Sequence, residues 1–572
     1  MKHKIRSRVL TVMLSLMFIV GLMPATVFAA NTTTLNVNGT NILTAPDYKV
    51  VCGSGTATYD PGTNTLTLDN AEINYQQNSG NNGAGAILFD GDLNINLVGE
   101  NTITSVTCGI LGKNAGTLTI TGDSLTLDCI YYGIARYSAG ADITIDGADI
   151  DVTAKGADNF TGVGIQASGV LSIKNGAYID ATDVSHHPII GNAGIEIEDS
   201  TVYAQQYTDY YAAIRSDSEI SISNSTVEAK ADSEGSSAIW TGNDLSSTFG
   251  NITISNGSDV TLYSKSSNAV YAMLGTISIS GSTVKAESFS GAYPTLCADG
   301  DIDITDHSDV TVKSADTIGI YSTGGAVEIQ DSIAHVTAHD EWDAIRGNDG
   351  GAAISGSWVE TFGSMVSQLF THSDSAIFLN NEGEADGSLI LPGDVTVSKD
   401  MILSVPEDSS ITVPDGVIFT NHGQIELLGE LVVNDGAIVC DSHSGGTATC
   451  IEKAKCSICG KEYGDLGSHV MKKTEAKKAT CTEDGNTEYY TCEICGKIFS
   501  DKNGLVEIQL SDTVIKAKGH SYENGRCTLC GAAEGSAQTG DDSSIVSLAI
   551  LAGIAALGIA GTALYRKRRE IK

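Results

Sequence analysis

The stretch "GTISISGSTVKAES", residues 275–288, is followed 25 residues later by "GDIDITDHSDVTVKS" and after another 25 by "GAVEIQDSIAHVTAH". A chain that restates one short pattern at fixed spacing must stack its copies, because no single copy can bury its own apolar face. The turn position after the alternating "I-x-I" segment runs through Asn70, Gly99, Gly122, Gly147, Asn175, Asp199, Asn224, Asn256, Gly281, Asp306, Asp331 and Gly356. Every member is Gly, Asn or Asp, the residues that accept a left-handed backbone turn.

Each unit carries three short strands: a "TISI" type, then "TVKA" or "DVTV" after the turn, then "AIRS", "AIWT", "AVYA" or "GIYS" before the next unit. Alternation over four or five residues is strand periodicity, and no repeat segment has apolar spacing near 3.6. The fold class expected is all-β, a parallel β-helix with three strands per rung. Ile120, Ile145, Ile173, Ile197, Ile222, Ile254, Ile279, Ile304, Ile329 and Ile354 would stack along its interior. After residue 387 the rhythm shortens around Pro-Gly, Pro-Glu-Asp and Pro-Asp-Gly turns, which reads as a C-terminal part with tighter rungs that shields the open edge. With this repeat the chain resembles the right-handed parallel β-helix superfamily of pectate lyases, polygalacturonases, adhesins and noncatalytic carbohydrate-binding proteins. It is most similar to the last group, from Gram-positive anaerobes. The resemblance covers roughly residues 35–440.

An enzyme of this fold needs clustered acid–base residues on one outward face. Arg136, Arg215 and Arg346 are the only arginines in the repeats, and the N-T-D and G-H-G motifs of polygalacturonases are absent there. Asp301, Asp303, Asp306 and Asp309 fall on turns and outward positions, a solvated acidic face able to hold Ca²⁺ loosely. On the third strand the outward residue of successive rungs is Arg215, Trp240, Tyr271, Cys297, Tyr321, Arg346 and Phe378. Rungs about 4.8 Å apart would make these a ladder whose step is close to one sugar of an extended polysaccharide. Aromatic faces stack on sugar rings and Arg bonds their hydroxyls; the same stripe could equally do no more than stabilise the stack.

Of 13 cysteines, nine lie between Cys440 and Cys530. His443, Cys450, Cys456 and Cys459 read as one zinc set, His469, Cys481, Cys492 and Cys495 as a second, and His520, Cys527 and Cys530 as an incomplete third, with either neighbouring unit open to His469 and His520. "CSICGKEY", "CEICGKIF" and "CTLCGAAE" have the form of zinc knuckles, and the segment resembles zinc-ribbon-like repeats near the C-termini of surface proteins of anaerobic Firmicutes. Disulfides are the competing reading for an exported chain.

The basic, apolar, small-residue order of residues 1–30 is that of a signal peptide. Residues 545–565 are uncharged and long enough to cross a hydrocarbon core of roughly 30 Å, and the basic tail 566–572 belongs on the cytoplasmic side. In the linker 532–544, "GSAQTGDD" resembles a sortase sorting signal through Gln538, Thr539 and Gly540, whereas Ser536 and Ala537 stand where Leu and Pro belong. A plain single-span anchor places the protein at the same location. The domains expected are therefore 1–30, the β-helix 31–440 with its short-rung part 387–440, the Cys/His repeats 441–531, the linker, the membrane helix and the tail. A net charge of -37 argues against nucleic acid as a partner. The expected function is a noncatalytic, polysaccharide-binding or adhesive protein of the cell surface, its partner a polysaccharide or a host or plant surface glycan. A β-helix lyase or glycoside hydrolase is the alternative.

Overall fold

The computed structural model describes residues 32–77, 83–157, 162–243, 248–363, 365–366, 370–434, 438–440, 446–455 and 462–535. The predicted signal peptide, the sorting residues Thr539 and Gly540, the span 545–565 and the basic tail lie outside them. The chain divides into two compact units, within residues 1–442 and 443–572. The described residues are all-β apart from short 3-10 turns such as Ile42–Thr44 and Leu510–Thr513. No helix among them is long and apolar enough to cross a membrane.

The first unit is a β-solenoid. A representative rung has a first strand Ile277–Ser280, a second Thr283–Ser288 and a third Leu296–Ala298. Each pairs in parallel with its counterpart on the next rung, Ile302–Thr305, Asp309–Ser314 and Ile320–Ser322. The third strands lie in one 14-stranded sheet. Between the first and second strands the backbone must reverse its twist in one residue, and all twelve predicted turn positions have positive φ, from Asn70 at 46° to Gly122 at 102°. The ten predicted isoleucines pair in register from Ile120 to Ile354 and are at most 2% exposed. Each such side chain contributes roughly 1.5–3 kcal/mol of burial, which only a stacked neighbour makes available.

A second interior column was not read from the sequence. Ser200, Ser225, Ser258, Ser282, Ser308, Ser332, Ser357 and Ser375 follow the turns and are all nearly or fully buried. The backbone N–H of each donates to the hydroxyl of the next, at 3.1 to 3.4 Å, from Ser200 through to Ser375. Each hydroxyl in turn donates to a carbonyl two or three residues before it, as Ser332 does to Gln330 at 2.8 Å. This ladder supplies the inter-rung hydrogen bonds where the strands themselves are interrupted by the turn.

The two ends differ from a uniform coil. At the N-terminus, Lys49–Cys52, Gly55–Asp60 and Thr65–Asp69 form an antiparallel meander, and only the last of them pairs in parallel with the first full rung. At the C-terminus, Ala376–Leu379 turns back antiparallel onto Glu382–Ala385 before the short parallel rungs begin. Phe378 sits at this reversal. It is fully buried against Trp358, with ring centroids 4.9 Å apart, in a separate core shared with Leu403 and Phe419. Its expected outward place on the third-strand ladder is therefore corrected: its strand pairs with Trp358–Phe362, a second strand, because the chain has left the regular rung by then.

Candidate functional site

The third strands Ile214–Ser216, Ile239–Thr241, Val270–Ala272, Leu296–Ala298, Ile320–Ser322 and Asp343–Gly347 are consecutive neighbours in their sheet. In each strand one residue lies between two buried neighbours and, except at the covered Cys297, is partly exposed, which places Arg215, Trp240, Tyr271, Cys297, Tyr321 and Arg346 in one in-register column. Six of the seven predicted ladder residues are thus together. Arg136, by contrast, is fully buried inside the coil, donating to the carbonyls of Gly91 and Asn114 with its guanidinium 5.1 Å from the Phe89 ring centroid.

The column is not a flat tape. Trp240 and Tyr271 meet edge to face, 5.6 Å between centroids at 67°, so they form a corner. At the other end the Arg346 guanidinium lies 5.6 Å from the Tyr321 ring centroid. A polar row runs alongside. Asn348 accepts from Arg346 Nε at 3.2 Å and donates to the Tyr321 hydroxyl at 2.7 Å, while Asp299 accepts from the Leu274 N–H at 2.9 Å and the Thr323 hydroxyl at 3.0 Å. Cys297 is only 5% exposed, and burial pushes its thiol up to about 12, so it fills a gap in the ladder without being a nucleophile.

Loops between second and third strands wall this column, and they carry two aromatic residues that the sequence reading missed, Tyr210 and Tyr293. Tyr210 is held at φ 69° by its N–H bond to the Glu234 carbonyl, and its ring lies against Gly235 of the next rung. A Cβ at Gly235 would come within 2.7 Å of that ring, so a glycine is required there. Two cavities result, both lined by Tyr210 and Trp240. One of about 450 Å³ is lined also by Tyr271, Tyr293, Pro294 and Tyr321, and one of about 290 Å³ by His187, Tyr211, Arg215 and Asn243. His187 is buried with Nδ1 2.8 Å from the Ala212 carbonyl. Burial, seconded by Arg215, lowers His186 to about 4; burial and the adjacent His186 lower His187 to about 3. Both imidazoles are neutral at ordinary pH, so Arg215 carries the positive charge of this end.

Among the described residues of the second unit the cysteines fall into two groups, Cys450, His469, Cys492 and Cys495, and Cys481, His520, Cys527 and Cys530. Within each, one ligand atom per residue lies within 4.8 Å of the others. The local chemistry repeats. The hydroxyls of Thr449 and Thr480 accept the N–H groups of Glu452 and Glu483, fixing the turns that present Cys450 and Cys481. Gly496 and Gly531, at φ 72° and 75°, donate to the carbonyls of Cys492 and Cys527 and close the two knuckles.

The expected sets are hence regrouped. Cys450 and His469 serve the knuckle of the following repeat, and Cys481 and His520 serve the one after, which completes the set that lacked a fourth ligand. His443, Cys456 and Cys459 lie outside the described residues. The sulfur pairs Cys450–Cys492 and Cys481–Cys527 are 3.6 and 3.7 Å apart, and Cys495 and Cys530 lie 3.5 and 3.3 Å from His469 and His520 Nδ1. A disulfide needs about 2.05 Å. Tetrahedral Zn²⁺ with Zn–S of about 2.3 Å and Zn–N of about 2.0 Å has edges of roughly 3.5–3.8 Å. None of the six cysteines in these two groups is in a disulfide. His520 and then the N–H groups of Leu529 and Cys530 pull Cys527 down to about 5. Burial opposes the same effect at Cys492, where the N–H groups of Cys495 and Ile494 win and hold it near about 6. Burial and neighbouring sulfurs push Cys450 to about 11 and Cys481 to about 12. Thiols so placed ionise together only around a cation, so both groups fit a structural metal with no open position for water.

The class defined by these features is a β-solenoid followed by a segment with two Cys/His groups able to hold metal. No protein-family model matches the chain, and no curated protein or solved structure matches it either.

Proposed function

We propose that the protein is a noncatalytic glycan-binding solenoid of the cell surface, exported and held by its C-terminus, with Zn²⁺ stabilising the Cys/His segment. The observation that carries this reading is the in-register column from Arg215 to Arg346, enclosed by Tyr210 and Tyr293. Aromatic faces of this kind bury the apolar side of a sugar, and Asp299, Thr323 and Asn348 offer bonding to its hydroxyls. Among the described residues lining the two cavities there is no carboxylate, whereas a glycosidase sets two across the scissile bond. These two cavities therefore suit binding better than hydrolysis; the carboxylates Glu382, Glu384 and Glu426 line a different cavity of about 610 Å³.

The test replaces Trp240, Tyr271 and Tyr321 together by Ala and measures binding on a glycan array. Three contacts of about 1 kcal/mol each should weaken it by well over tenfold, tenfold being about 1.4 kcal/mol. The three side chains point away from the isoleucine stack, so the unfolding temperature should hold. A folded variant that binds as well as the parent refutes the assignment.

A further inference from the structure

The groove has two chemically different ends, and one of them is blind. In the register of the column, the residue one rung before Arg215 is Ile190, which is only 6% exposed. The outward ladder therefore stops at Arg215, and His187 and Tyr211 line the cavity that closes it. A polymer lying across Tyr321, Tyr271 and Trp240 finds no further exposed ladder residue at the Ile190 rung. Arg215 bonds Asp217 at 2.7 Å through one terminal nitrogen, which fixes the guanidinium while it is still partly exposed. The fork has five donors, and the rest of it lines the cavity beside Trp240.

Resting on the glycan-binding reading, we infer that the Arg215 end is a subsite for the acidic terminal sugar of an otherwise neutral glycan. The carboxylate would pair with Arg215 while the sugar's apolar face packs on Trp240. Charge distinguishes this ligand from a polyanion. The chain carries a net charge of -37, so a carboxylate on every sugar meets repulsion along the whole solenoid. A single carboxylate at the blind end shares Arg215 with Asp217, which engages one terminal nitrogen and leaves the other donors of the fork, and distant acidic groups are screened beyond about 8 Å at physiological salt. The aromatic cavity beyond Trp240, lined by Tyr271, Tyr293 and Tyr321, then takes the neutral sugars that follow.

The experiment uses the full chain and an array of oligosaccharides capped by one uronic or sialic acid. The same oligosaccharides after carboxyl reduction, and chains with the acidic sugar only at internal positions, are printed beside them. At least one capped glycan should bind about tenfold or more tightly than both its reduced form and its internal isomer. Arg215→Gln should erase that preference, so that the capped and reduced forms bind alike to this variant. Equal binding of capped and reduced forms, both lost in the Trp240, Tyr271 and Tyr321 variant, overturns the acidic-terminus subsite and leaves the groove assignment standing. Binding that survives the triple variant, or no binding to any member, overturns both.

Discussion

Removing one hydroxyl from the serine ladder should open the coil locally. Ser332 is fully buried; its Oγ accepts the Ser308 N–H at 3.2 Å and donates to the Gln330 carbonyl at 2.8 Å. Ser332→Ala leaves the buried Ser308 amide without this partner, together with the Gln330 carbonyl, whose bond is part-buried. An orphaned buried group costs roughly 1–3 kcal/mol, so a loss of about 2 kcal/mol is expected. Because a rung contacts only its neighbours, the cost should appear as local opening. At about 1.4 kcal/mol per tenfold, amide exchange in the segment 302–337 should accelerate by roughly 30-fold, followed by mass spectrometry, with rungs near Ile145 unchanged. Ser221→Ala, on the outward face of a first strand, is the control and should stay within about 0.5 kcal/mol of the parent. Equal exchange in the two variants would show that the ladder is a by-product of the turn and does not hold the rungs together.

Two further outcomes follow from buried and clustered side chains. Burial works against a charge on His335, but its 2.9 Å bond to Glu360 outweighs this and, with Asp309, raises its pKa above the ordinary 6.5; the pair's stabilisation is therefore full below about pH 6.5 and lost as pH rises through the folded value. Melting temperatures of the parent and of His335→Asn should differ most near about pH 6 and converge toward about pH 9, and a gap independent of pH would refute the ion pair. Zinc content by mass spectrometry should fall by one ion per chain in Cys450→Ser, and the strands Met471–Thr474 and Tyr489–Cys492 that flank the first group should lose amide protection with it; loss of the ion with those strands still protected would restore the set His469, Cys481, Cys492 and Cys495.

The parts of the fold legible in the sequence are those fixed by a constraint on a single residue. A positive φ excludes most side chains, so Asn70 through Gly356 stood out one by one and all proved left-handed. The isoleucine column was legible for a similar reason, since an inward position admits only apolar residues. The serine column lay in the same text, as Ser225 after Asn224, Ser282 after Gly281 and Ser332 after Asp331. It escaped because serine beside a turn usually faces water, and only its recurrence marks it as interior. Alternation is blind to strand direction, so nothing in the sequence set the antiparallel meander Lys49–Asp69 apart from the β-helix expected over 31–440. Phe378 misled for the same cause: "AIFL" repeats the third-strand pattern, yet it follows a rung shorter than the others and pairs with a second strand.

At the sites, spacing identified residue types better than partners. Three Cys-x-x-Cys-Gly turns named zinc-ligand candidates, but a linear motif cannot say that Cys450 reaches past the knuckle at residues 456–459 to the one at Cys492 and Cys495. That choice is made by the sheet of Met471–Thr474, Tyr489–Cys492, Ile498–Phe499 and Glu507–Ile508, whose pairing carries Cys492 toward the earlier cysteine. The groove shows the same division. Its floor follows from strand register, so Arg215 to Arg346 could be aligned from the repeat alone. Its walls come from loops of unequal length, in which Tyr210 and Tyr293 hold no fixed place in the period. The floor makes the surface capable of stacking on a sugar, whereas the loop at Tyr210, seated on Gly235, converts that surface into a groove with a closed end. On the proposed glycan-binding role, selectivity should therefore change with loop substitutions that leave every rung intact.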